Sequence, residues 1–156
     1  MIRLSTGLRD LLLGTDDFRS IFENGVIHIY TGAQPANADQ AVAGTLLGIV
    51  TQDALPFSFG SPDNGLNFAA PASAAIDKEP GENWRYSALA SGVAGWGRLM
   101  GNALDNLASS TVLPRVDFRI GQSGADLNLT STSLAAGAPY TIDQFRLRIP
   151  FQIGGA

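Results

Sequence analysis

The chain has 156 residues, 15% of them charged, with a net charge of −4, 18 glycines, 8 prolines and no cysteine. That length fits one domain able to bury a core without covalent cross-links, and the absence of cysteine removes disulfides and thiolate metal sites. The acidic balance argues against a nucleic-acid partner, which would need a basic stripe, and no apolar run reaches the ~20 residues that span a bilayer.

The first twenty-five residues read as helical. Leu4, Leu8, Leu11 and Leu12 recur at helical spacing, Ser5 or Thr6 can cap the first turn, and Gly14 ends it. A second short helix follows, with Asp16 or Asp17 as cap and Phe18, Ile21 and Phe22 on one face. Asn24-Gly25 is its stop, Gly25 being suited to a left-handed residue. Residues 1–25 thus form an N-terminal helical segment, either a plug on the main domain or an arm that docks on a neighbour. The start carries Arg3 and Arg9 without a signal-peptide core, so export by the usual secretory route is not expected.

From Val26 the pattern turns to β, and residues 26–156 are expected to form a single β-sandwich or jelly-roll-like domain. VIHIYTG (26–32) and TLLGIVT (45–51) are strands joined by the loop AQPANADQAVAG. LPFSF and LNFAA flank the turn GSPDNG. RYSALASGVAGWGRLM (85–100) fits one long bent strand whose glycines mark a bulge or close backbone approach. RVDFRIG (115–121) alternates, placing Val116, Phe118 and Ile120 inward and Arg115, Asp117 and Arg119 outward. GQSGADLNLTSTSLAAG (121–137) reads as turn, short strand with Leu127 and Leu129 inward, and second turn. The last strand, FRLRIPFQI, turns Phe145, Leu147, Ile149, Phe151 and Ile153 inward and Arg146 and Arg148 outward. Pro150 cannot donate to a ladder, so this strand should lie at an edge or carry a bulge. Seven or eight strands with turns about every ten residues suit a sandwich or jelly roll.

Chemistry is thin along this chain. His28 is the only histidine and lies between Ile27 and Ile29, where a sheet-surface role is favoured over a general base. No GxSxG elbow occurs. Asp16-Asp17 is better explained as a helix cap than as a carboxylate pair, and DNG at 63–65 as a turn than as part of a calcium loop. GVAGWG (92–97) lacks the order and the following helix of a dinucleotide fingerprint, and DKEPGE (77–82) reads as a solvated loop. No catalytic, cofactor-binding or metal residue is expected, although Asp117, Asp126 and Asp143 lie in or beside strands where a dyad could form.

Two separated segments carry a resemblance. FENGVIHIYTGAQPANADQAVAGTLLGIVT (22–51) and, in the second half, AGWGRL (94–99) followed by GQSGADLNLTSTSLAAGAPYTIDQFRL (121–147) resemble small virion structural proteins of tailed bacteriophages and prophages. Together they cover about two fifths of the chain. Residues 55–82 have no counterpart, and Trp96-Gly97 stands where bulkier neighbours are usual. The resemblance implies a non-enzymatic virion component, best matched to a capsid decoration (cement) protein. Its partners would be the major capsid protein and further copies of itself, as a trimer, on a shell assembled in the host cytoplasm. A tail, baseplate or fibre-associated protein is the alternative, and a carbohydrate-binding module a remote one. Low charge suits such a role, since small uncharged residues make flat, closely packed surfaces and lose little entropy when fixed. Nine of the ten basic residues are Arg, a residue enriched at interfaces. The Leu4, Leu8, Leu11, Leu12 stripe and the loop from Ala33 to Gly44, with Gln34, Pro35 and Asn37, are the candidate contact surfaces.

Overall fold

The computed structural model describes residues 1–148 and is mainly β, with two short helices and a large sheet that is almost entirely antiparallel. At the start, β1 (Arg3–Leu4) leads into α1 (Thr6–Gly14) and α2 (Phe18–Ile21). Both helix starts follow from local chemistry. The Ser5 hydroxyl accepts the Leu8 N–H at 3.1 Å, and the Asp17 carboxylate accepts the N–H groups of Arg19 and Ser20. At the end of α2, Asn24 rather than Gly25 takes the left-handed conformation, at φ 54°. Gly25 instead bridges to Leu66, where a Cβ would overlap the Met100 carbonyl.

The strands that follow are β2 (Val26–Thr31), β3 (Leu46–Gln52), β4 (Ala75–Asp77), β5 (Trp84–Ser87), β6 (Gly92–Met100), β7 (Arg115–Gly121), β8 (Leu127–Asn128), β9 (Ser133–Leu134), β10 (Pro139–Ile142) and β11 (Arg146–Arg148). The large sheet runs β1-β7-β6-β2-β3-β5-β10, with β8 added parallel to β7 and β9 added to β6. A separate ribbon pairs β4 with β11.

Two strand expectations are corrected, and a third falls partly outside the described residues. The stretch 85–100 is two strands, because the chain leaves the sheet at 88–91, where the Leu89 N–H donates to the Leu47 carbonyl. LPFSF forms no strand, and LNFAA contributes only isolated bridges at Leu66 and Phe68. The backbone there turns through left-handed residues Asp53, Ala54 and Asn64. In the last strand only 146–148 are seen as β; Ile149, Pro150, Phe151 and Ile153 lie outside the described residues.

Register fixes the two faces of the large sheet. Ile27 lies opposite Leu99 and Leu99 opposite Val116, while Ile29, Gly97 and Phe118 form the next row. These side chains, with Trp84, Tyr86 and Ile142, form the buried core. The β4–β11 ribbon and the 66–68 segment cover it: Phe145 packs 5.6 Å from Trp84 and 5.3 Å from Phe118, and Phe68 packs edge-on against Trp84. Burial of each such ring contributes about 1.5–3 kcal/mol. Gly97 and Gly48 are required by this packing, since a Cβ would overlap the rings of Phe118 and Tyr86. Leu127 and Leu129 point into this core, as their pattern predicts.

Candidate functional site

The opposite face of the large sheet carries charge, and that charge is buried. Register places Ile49, His28, Arg98, Asp117 and Arg3 in one row across β3, β2, β6, β7 and β1. Arg98 grips Asp117 with two parallel bonds, Nε to Oδ1 at 2.7 Å and Nη2 to Oδ2 at 2.8 Å, and neither side chain reaches solvent. One row along, Arg115 holds Asp105 in the same way at 2.6 Å for both bonds, with Nη2 also donating to the Ala108 carbonyl. Such forked pairs are the strong form of ionic hydrogen bond. The Nη1 atoms of both arginines are buried without an acceptor among the described residues.

Alternation predicts Arg115 and Asp117 pointing outward to water, and this is corrected: both are fully buried, and only Arg119 of the three is exposed. The alternation itself is right. What it cannot reveal is a second cover, built from the loops 33–44 and 101–114. These are tied to each other by Val42 N–H to the Leu107 carbonyl, Ser110 N–H to the Asp39 carbonyl and Ala41 N–H to Ser109 Oγ. Trp96 Nε1 donates to the Ala43 carbonyl and fastens the layer to the sheet. The pointer that was available is the match of a lone Arg in AGWGRL with a lone Asp in RVDFRIG.

His28 belongs to this face rather than to an open sheet surface, with 8% of its area exposed. Its Nδ1 lies 3.2 Å from the Tyr30 hydroxyl, and Tyr30 stacks on Trp96 at 4.7 Å. Burial pushes the imidazole down to about 4, with Asp105 opposing and Arg98 assisting. Burial also pushes Tyr30 up to about 12. For Asp117, burial raises the carboxyl and the Arg98 contact pulls the other way. The carboxylates and guanidinium forks on this face therefore pair with one another, and each arginine leaves its Nη1 without an acceptor among the described residues. Each charge is engaged by its partner instead of being held toward a cleft, so the arrangement fixes the loop layer in register. Among the described residues, no three His, Asp or Glu side chains converge as a metal site would require.

An apolar groove of about 440 Å³ adjoins His28, walled by Leu55, Phe57 and Phe59 of the loop after β3. DKEPGE is less solvated than its charges suggest. Glu82 accepts the Asn67 and Trp84 N–H groups at 2.9 and 2.8 Å, pinning the strandless segment to β5.

The candidate contact residues fall into two adjoining groups. Leu8 is fully buried in the core and presents nothing outward, while Leu11 is half-buried. Leu4 and Leu12 line a second apolar groove, of about 400 Å³, with Phe18, Ile76 and Leu147. Leu13, next to the stripe, is the most exposed leucine of α1, at 88% against 38% for Leu12. Gln34 and Pro35 sit against the other side of β1, where both carbonyls accept from Arg3 and Gln34 Nε2 donates to the Met1 carbonyl. Asn37 is exposed, its side chain accepting the Asp39 N–H. Asp39 in turn binds the N–H and hydroxyl of Thr6, both at 2.7 Å, so loop and N-terminal segment form one continuous surface. Of the acids in the recognisable half, Asp117 is paired with Arg98 and Asp126 with the N-terminal amine; Asp143 is exposed. Compared with protein families, curated proteins and solved structures, the chain matches none.

Proposed function

We propose that this chain is a non-enzymatic structural protein of a tailed-phage virion, and more specifically a capsid decoration protein that seats on the outside of the assembled shell. The observation that carries the reading is a set of exposed apolar side chains on a weakly charged chain. Leu13, Leu104 and Val112 are 88%, 74% and 77% exposed, while the buried charges pair with each other. Such side chains gain most when covered by a neighbour. The phage-like motifs at 22–51, 94–99 and 121–147 support the same reading. In it the large sheet and the β4–β11 ribbon are the two layers of a β-sandwich, and the loop 33–44 with the N-terminal segment is the contact surface.

Decoration stabilises by mass action: a protein that binds only the assembled shell shifts the equilibrium toward that shell. A trimer engages several capsid subunits at once, so weak single contacts add to firm seating. Neither nucleic acid nor membrane takes part. Heating particles with and without the protein tests this: particles lacking it release DNA at lower temperature. Unchanged shell stability with lost host adsorption would replace the capsid role with a tail role.

A further inference from the structure

Two Asn-Gly steps occur in the chain, Asn24-Gly25 and Asn64-Gly65. Glycine leaves the following backbone nitrogen unshielded, so that nitrogen can reach the asparagine side-chain carbonyl carbon and expel its amide. The reaction is slowed where hydrogen bonds hold that nitrogen and the asparagine beside it. The fold treats the two steps differently.

At the first, the Gly25 N–H is held by the carbonyls of Phe22 and Leu66, at 3.1 and 3.0 Å. Asn24 is clamped as well: its N–H donates to Asn67 Oδ1 at 2.9 Å, and its carbonyl accepts from Asn102 Nδ2 at 2.8 Å. At the second, Gly65 is buried against the Asn24 backbone, as Gly25 is against Met100, but its N–H has no acceptor among the described residues. Asn64 is partly exposed in a turn at φ 60°, beside the exposed acid Asp63. Its side chain is tied by a single bond, Nδ2 to the Pro56 carbonyl at 2.7 Å.

We propose that Asn64 is a site of spontaneous deamidation and that the fold protects Asn24. The Gly65 nitrogen loses its proton and bonds to Asn64 Cγ, the Cγ–Nδ2 bond breaks, and ammonia leaves a succinimide. Water then adds to either ring carbonyl and opens the ring to aspartate or isoaspartate. Water is the only co-reactant, and nothing is oxidised or reduced. The aspartate product carries a new carboxylate where the donor to Pro56 stood. An isoaspartate also lengthens the backbone at the carbonyl that accepts the Gln52 N–H at 3.0 Å. Both ties anchor the 53–64 loop, the wall of the groove beside His28, so conversion loosens that wall.

The test is to age the intact folded protein in mildly alkaline buffer and in urea, then map peptides for replacement of amide by acid at each site. In the folded protein Asn24 should convert at least about tenfold more slowly than Asn64, the factor matching ~1.4 kcal/mol of hydrogen-bond restraint. In urea the two rates should converge. Equal rates in the folded protein, a faster Asn24, or conversion at neither site while both convert in urea would overturn the proposal.

Discussion

Replacing His28 with glutamine should make the protein more resistant to mild acid while changing little at neutral pH. The imidazole is 8% exposed, and burial holds it at about 4, against 6.5 for an ordinary histidine. As pH falls below 6.5 the unfolded chain takes up a proton that the folded chain refuses, so wild type loses stability between pH 6.5 and 4. The full difference is about 3.4 kcal/mol, from roughly 1.36 kcal/mol per pH unit; about 2 kcal/mol of it is lost by pH 5. Glutamine does not titrate and retains a polar group near Tyr30, so its cost at pH 7 is about 1 kcal/mol, one hydrogen bond's worth. Asp17, Asp39 and Asp77, whose carboxyls their hydrogen-bond partners hold low, titrate alike in both proteins and cancel. Urea unfolding at several pH values between 7 and 4.5 measures the difference directly. Stability curves for the two proteins that stay parallel across that range would refute the assignment of His28 to a closed site.

Two further substitutions probe the buried row and the N-terminal segment. Asp117→Asn strands the Arg98 guanidinium away from water and should cost about 3–5 kcal/mol, whereas Asp77→Asn, which breaks the exposed Arg146 pair, should leave the urea midpoint unchanged. Leu8→Ala should cost about 2–5 kcal/mol by opening a cavity, while Leu13→Ala should leave unfolding within about 0.5 kcal/mol of wild type and reduce self-association in sedimentation.

Features that depend on neighbours in sequence were legible. Ser5 and Asp17 cap their helices because a side-chain oxygen and an N–H two or three residues away decide the matter. The strand at 26–31 and the inward Leu127 and Leu129 follow from composition and spacing in the same way. What was not legible came from distant parts of the chain. Arg115 and Asp117 alternate as surface residues do, and only the pairing of loops 33–44 and 101–114 reveals that water is excluded above them. His28 was misplaced for the same reason. Glu82 sits in a charge run that resembles a solvated loop, yet its partners Asn67 and Trp84 include one fifteen residues away. Leu8, Leu11 and Leu12 were legible as a helix face, but Leu4 belongs to β1, and helical periodicity cannot say that Leu8 turns into the core while Leu13 turns out.

A reconstruction of the phage or prophage particle carrying this chain tests the proposed seat on the capsid shell. A decoration protein should appear there in many copies, as trimers spread over the outer face of the shell, with loop 33–44 and the N-terminal segment at the seam to the capsid protein. A few copies confined to the tail or baseplate, or none in the particle at all, would contradict it.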